Sequence, residues 1–71
     1  MNKIKIAQIG VGYWGPNLLR NMVANKSCEV RTVVDLSKER RHFVQHLYPS
    51  VRVSNGVEDI INDADIEAVV I

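Results

Sequence analysis

The sequence predicts an α/β chain in which a parallel sheet carries helices on its faces. Three observations predict it. Short runs rich in Ile and Val recur along the chain, as buried strands do. Segments with helical spacing separate those runs, giving the order β-α-β-α-β-α-β. Between the first strand and the first helix stands a turn with three glycines, Gly10-Val11-Gly12-Tyr13-Trp14-Gly15.

Ile4, Ile6, Ala7, Ile9 and Val11 make a near-continuous apolar run, expected of a central strand buried on both faces, with Lys3 and Lys5 at its exposed entry. After the glycine turn, Pro16 fits the first turn of a helix, where its missing N–H removes nothing. Leu18, Leu19, Met22 and Val23 fall on one face of that helix, and Asn25-Lys26-Ser27 ends it. Val30, Thr32, Val33 and Val34 form a second β-branched strand that stops at Asp35.

Ser37 is the expected N-cap of a second helix whose buried face is Phe43, Val44 and Leu47, with Pro49 beyond its end. Val51 and Val53 alternate with Arg52 and Ser54 in a short third strand, and Asn55-Gly56 breaks the chain after it. Val57, Ile60 and Ile61 indicate a short third helix, with Glu58 and Asp59 in its first turn, where the helix dipole favours negative charge. Asp63-Ala64-Asp65 reads as a turn and residues 66–71 as a fourth strand. Right-handed crossovers then give the sheet order 3-2-1-4, a Rossmann-like arrangement whose switch point lies beside the glycine turn. The whole of 1–71 is expected to be the N-terminal part of one such domain, truncated after strand 4.

Nine Lys and Arg against eight Asp and Glu, interleaved along the chain, leave no basic stripe for nucleic acid. The longest unbroken apolar stretch, Ala68-Val69-Val70-Ile71, is too short to cross a bilayer. The opening Met1-Asn2-Lys3 runs straight into the first strand, so no signal peptide is expected and a cytoplasmic setting is. A single cysteine, Cys28, excludes an internal disulfide and a cysteine pair for zinc, and it is expected as a small apolar residue. His42 and His46 stand four residues apart on the second helix, but no third ligand accompanies them, so they are expected as surface residues and no metal site is expected.

The chemistry lies in the glycine turn. Gly10 permits the tight exit from the strand, Gly12 lets phosphates approach its backbone, and Gly15 lets the helix pack closely. The helix start adds free N–H groups and partial positive charge for a pyrophosphate. Asp35 ends the second strand twenty positions after Gly15, where it can accept hydrogen bonds from both ribose hydroxyls of an adenosine. A carboxylate there repels a ribose 2′-phosphate, so NAD is expected over NADP, with Lys38 and Arg40 partly offsetting the preference. No Gly-Lys-Ser/Thr follows, which excludes a Walker P-loop. A methyltransferase turn would place its third glycine at position 14, where Trp14 stands. Tyr13 and Trp14 either pack the turn or line the cofactor or substrate cleft.

The run from Ile9 to Asn21, with its core Tyr13-Trp14-Gly15-Pro16-Asn17, resembles the N-terminus of the Gfo/Idh/MocA oxidoreductases. Val33-Val34-Asp35 and Asp65 to Ile71 are similar to that family's second and fourth strands. The resemblance implies an oxidoreductase that moves a hydride between a tightly held nicotinamide cofactor and a hydroxyl carbon of a sugar, inositol or sugar nucleotide. It implies cofactor contacts at Gly10, Val11, Gly12, Tyr13, Trp14, Gly15 and Asp35. It also implies a later Glu-Lys-Pro segment with a catalytic lysine, and a C-terminal α+β domain bearing the substrate, a histidine and the oligomer interface, none of which falls within residues 1–71. No residue present maps onto a proton-transfer role. A non-catalytic nucleotide-binding or sensing module is the competing expectation.

Overall fold

The computed structural model describes residues 3–12 and 14–71. Within them the chain runs β1 (Ile4–Ile9), α1 (Gly15–Ala24), β2 (Cys28–Val34), α2 (Lys38–Leu47), β3 (Arg52–Ser54), α3 (Glu58–Ile61) and β4 (Ala68–Val70). All pairings are parallel and the sheet order is β3-β2-β1-β4, as the element order predicts. Tyr13, a sequence-predicted cofactor contact, lies outside the described residues.

Two apolar clusters, one on each sheet face, hold the layers together. Ile6, Val11, Leu19, Val30, Val33, Val44 and Val51 form the larger one, beneath α1 and α2. Ala7, Val34 and Ile60 form the smaller one, beneath α3, with Ile9 and Ile66 packed against it. Val30 and Val33 share a cluster although their odd spacing would set them on opposite faces of a regular strand. A β-bulge resolves this: Ile6 pairs with Val30 and Ala7 with Thr32, leaving Arg31 as the extra residue.

Arg31 turns the bulge into a tie. Its guanidinium pairs with Asp63, just past α3, and reaches Asp65 at 3.5 Å, while Arg52 of β3 meets Asp63 at 3.3 Å. The Arg31 hydrogen bond, then the Asp65 backbone N–H, hold the Asp63 carboxyl below the ordinary carboxylate range, and Asp63 in turn raises Arg31. A carboxyl lowered in the folded state stabilises it above its unfolded pKa, and that contribution is lost as pH falls through the folded value. Asp63→Asn is therefore expected to lower the unfolding midpoint near neutrality and to leave it unchanged in strong acid, where both chains are neutral at this position. Thermal melts from pH 7 to pH 2 check it; a constant gap at every pH would show that the ionised form contributes nothing.

Several sequence expectations shift in detail. Of the three residues expected to bury α2, Val44 alone is buried; Phe43 and Leu47 are 40% and 50% exposed. Val23 on α1 is also exposed, because Leu19 occupies the centre of the helix–sheet contact and Val23 lies beyond it toward the helix end. Ser54, expected on a polar face, is buried. Its hydroxyl donates to Asp59 and accepts the Gly56 N–H at 3.2 Å, which satisfies it locally. The fourth strand is shorter than the expected 66–71, since Ile66 and Glu67 precede the paired residues Ala68 to Val70 and Ile71 follows them. Ser37 caps α2 as expected, accepting the Arg40 N–H at 3.2 Å. Cys28 is half-buried against the larger cluster, and His42 and His46 are exposed.

Candidate functional site

The carboxyl ends of β1, β2 and β3 converge on the glycine turn. Gly10 sits at φ +90°, a left-handed conformation that L side chains rarely adopt, and its N–H donates to the Val34 carbonyl at 2.7 Å. The turn is thus tied to the end of β2 from its first residue. Gly12 is exposed, and the position of a Cβ there meets no atom within 4 Å, so a ligand can reach its backbone. Gly15 serves contact instead: a Cβ would lie 3.1 Å from the Gly10 carbonyl oxygen and 3.4 Å from Val11 Cγ1. Gly10 thus supplies the turn's conformation, Gly12 its open backbone and Gly15 its close packing.

Asp35 leaves the end of β2 with its backbone N–H on the Ser54 carbonyl at 3.0 Å. Its Oδ2 accepts the Val11 N–H at 2.7 Å, and its Oδ1 accepts the Ser37 N–H at 2.8 Å. One carboxylate therefore joins the glycine turn to the start of α2. Each oxygen keeps a further lone pair, since an ionised carboxylate offers about four acceptor sites. Arg41, reaching back from α2, donates to the Asp35 carbonyl at 2.8 Å and to that of Leu36 at 3.0 Å, fixing the backbone on which the carboxylate stands. Lys38 and Arg40 are exposed, beside the cap.

Two clefts flank Gly10. The larger, about 520 Å³, is lined by Ile9, Gly10, Val34, Asp35, Leu36 and the Asn55–Val57 loop after β3. The smaller, about 280 Å³, lies on the far side of the turn, between Ile9, Gly12, Trp14, Gly15, Leu18 and Ile71. Trp14 is 72% exposed there, so its ring borders the second cleft and is not part of the core. Val11 is fully buried; it can face the site only through its backbone, and its N–H is already taken by Asp35. A third cleft, about 620 Å³, lies at the opposite end of the sheet among Lys3, Lys5, Glu29, Asp65 and Glu67, away from the strand ends where ligands bind in open α/β sheets.

The order 3-2-1-4 with alternating helices and a glycine turn at its switch point decides the architecture. The fold is Rossmann-like. Solved structures share it. The myo-inositol 2-dehydrogenase of Lactobacillus plantarum superposes with a TM-score of 0.85 at 17% identity, over 96% of this chain and 20% of that one. GenD2 from gentamicin A biosynthesis, in complex with NAD, gives 0.86 at 19% identity over 97% and 20%. The scyllo-inositol dehydrogenase of Lactobacillus casei, with bound NAD(H) and scyllo-inositol, gives 0.81 at 21% identity over 96% and 20%. The chain thus spans about a fifth of the length of these structures. No protein-family model matches the sequence. No curated protein matches it either.

Several residues at the Rossmann-like site escaped the sequence reading. Leu36, Asn55, Gly56 and Val57 line the larger cleft, which the strand order alone would have placed beside Asp35. Gln8 is the other: it is buried at 1% exposure, and its Nε2 donates to the carbonyls of Gly10 and Gly15 at 3.1 and 3.2 Å. A polar residue two places before the first glycine, in an otherwise apolar strand end, was its signal. Among the described residues no cluster of three or more His, Cys, Asp or Glu could hold a metal ion, and no helix is long and apolar enough to cross a membrane.

Proposed function

We propose that this chain forms the adenosine and pyrophosphate half of a nicotinamide-dinucleotide site, in the dinucleotide-binding domain of a Gfo/Idh/MocA-type oxidoreductase. The observation that carries the reading is Asp35, whose carboxylate accepts the Val11 N–H of the glycine turn and which itself lines the larger cleft. Adenosine fits that cleft, with its ribose hydroxyls on the remaining acceptor positions of Asp35. The pyrophosphate then lies over Gly12 and the start of α1, where exposed backbone and helix dipole favour it. The nicotinamide side falls to the smaller cleft beside Trp14. NAD is favoured over NADP because a 2′-phosphate would meet the carboxylate.

The bound cofactor supplies the hydride chemistry, and the resemblance assigns the substrate to a hydroxyl carbon of a sugar or inositol. Solved structures of the same fold that hold NAD, one of them with scyllo-inositol, support that direction. A later Glu-Lys-Pro segment with the catalytic lysine, and a second domain bearing the substrate and a homo-oligomer interface, belong to the same reading. Calorimetric titration of NAD into this chain is the test. Binding in the micromolar to millimolar range, about −4 to −8 kcal/mol, is expected, with no sugar-dependent NADH production. Absence of NAD and ADP-ribose binding to the folded chain, or turnover by it, would overturn the assignment.

A further inference from the structure

We propose that Gln8 is a positioning residue that presets the glycine turn for a pyrophosphate, a role that rests on the nucleotide reading above. A glutamine at this place is unexpected: it lies in a central strand, 1% exposed, where β1 otherwise buries Ile6 and Ala7. Its amide group faces two backbone carbonyls, Gly10 at the strand exit and Gly15 at the first residue of α1. Both contacts need a donor, so the NH₂ end must point at the turn. One side chain thereby joins the two ends of the six-residue loop it lies beneath.

The consequence for the loop follows from peptide geometry. With the Gly10 carbonyl drawn inward to Gln8, the N–H across the same planar trans peptide points the opposite way. That N–H belongs to Val11, and Asp35 Oδ2 takes it at 2.7 Å. The Gly10–Val11 peptide is therefore gripped on both edges, by Gln8 and by Asp35. The Gly10 oxygen is also packed against Gly15, with 3.1 Å to the place a Cβ would occupy. With the Gly10 and Gly15 carbonyls turned inward, neither faces a ligand at the turn, and the exposed backbone of Gly12 lies open to one. A loop so fixed offers a diphosphate its donors without having to order them on binding.

The test compares ADP with adenosine on the 71-residue chain, by amide-shift titration, in the wild type and in Gln8→Met. Methionine keeps the length and fills the space but cannot donate. ADP affinity is expected to fall by about tenfold, the scale of a lost hydrogen-bonded preorganisation. Adenosine affinity is expected to change by less than about twofold, because its cleft does not include Gln8. Equal ADP affinity in both chains overturns this inference alone. Equal losses for ADP and adenosine also overturn it, since they would make Gln8 a structural support only. A wild type that binds neither ligand overturns the nucleotide reading and this inference with it. Should Gln8→Met fail to fold, hydrogen exchange of the wild-type Gln8 side-chain amide decides: protected protons that shift with ADP and not with adenosine support the role, and protons exchanging like a free amide overturn it.

Discussion

Asp35→Ala is expected to weaken NAD binding by about 1.5–3 kcal/mol, the range for losing a hydrogen-bond partner that carries charge. Under the proposed assignment NADP binding should suffer less, because the same change removes the repulsion of a 2′-phosphate, and the proposed NAD preference then narrows. The structure adds a second route for the loss. Without the carboxylate, the Val11 and Ser37 N–H groups lose their acceptors, and the glycine turn loses its link to the start of α2. Asp35→Asn separates the two routes: its one carbonyl oxygen can keep the Val11 N–H while the charge that repels NADP is gone. Paired titrations with NAD and NADP check both variants. An unchanged affinity ratio in Asp35→Ala would mean that Asp35 holds the loop and does not read the ribose.

Leu19→Ala should be the most damaging change to the fold. Leu19 is the one residue of α1 that is fully buried, and it sits in the cluster that also contains Val11 of the glycine turn. Truncating a buried leucine costs about 2–5 kcal/mol through lost transfer energy and the cavity left behind. A chain of 71 residues has about 4–10 kcal/mol of total stability to lose. The unfolding midpoint is therefore expected to fall by at least about 10 °C. Calorimetry or circular dichroism measures it, and a fall of less than about 3 °C would show that α1 does not depend on this contact.

Element order, strand topology and the local geometry of the glycine turn were legible in the sequence because each rests on local rules. The period of the apolar residues marks strands and helices, and the φ +90° at Gly10 is a conformation a glycine announces in advance. Asp35 was legible by spacing, as the acid that ends the second strand. What it touches was not, because the Val11 contact joins residues 24 positions apart. Periodicity also overstated the cores of the helices. It marks Phe43 and Leu47 as apolar, but whether they are buried depends on where α2 crosses the sheet, and only Val44 lies over it. Gln8 escaped for the complementary reason: a polar residue in a strand is normally an outward one, and its inward pairing with two carbonyls follows from the turn's three-dimensional course.

The extra residue at Arg31 has a consequence for how this strand can change. Side chains alternate along a strand, so an inserted residue inverts the phase of everything that follows it. Residues from Thr32 to Val34 keep their faces and their partners on β1 and β3 only because the bulge absorbs the extra residue. Deleting Arg31 would restore strict alternation, with Val30, Thr32, Val33 and Val34 still opposite Ile6, Ala7, Gln8 and Ile9. Inserting a further residue there would act like a frameshift in space, because nothing takes it up and Thr32 to Val34 would exchange faces. The register of β2 therefore tolerates a deletion at Arg31, at the cost of its ion pairs to Asp63 and Asp65, and does not tolerate an insertion.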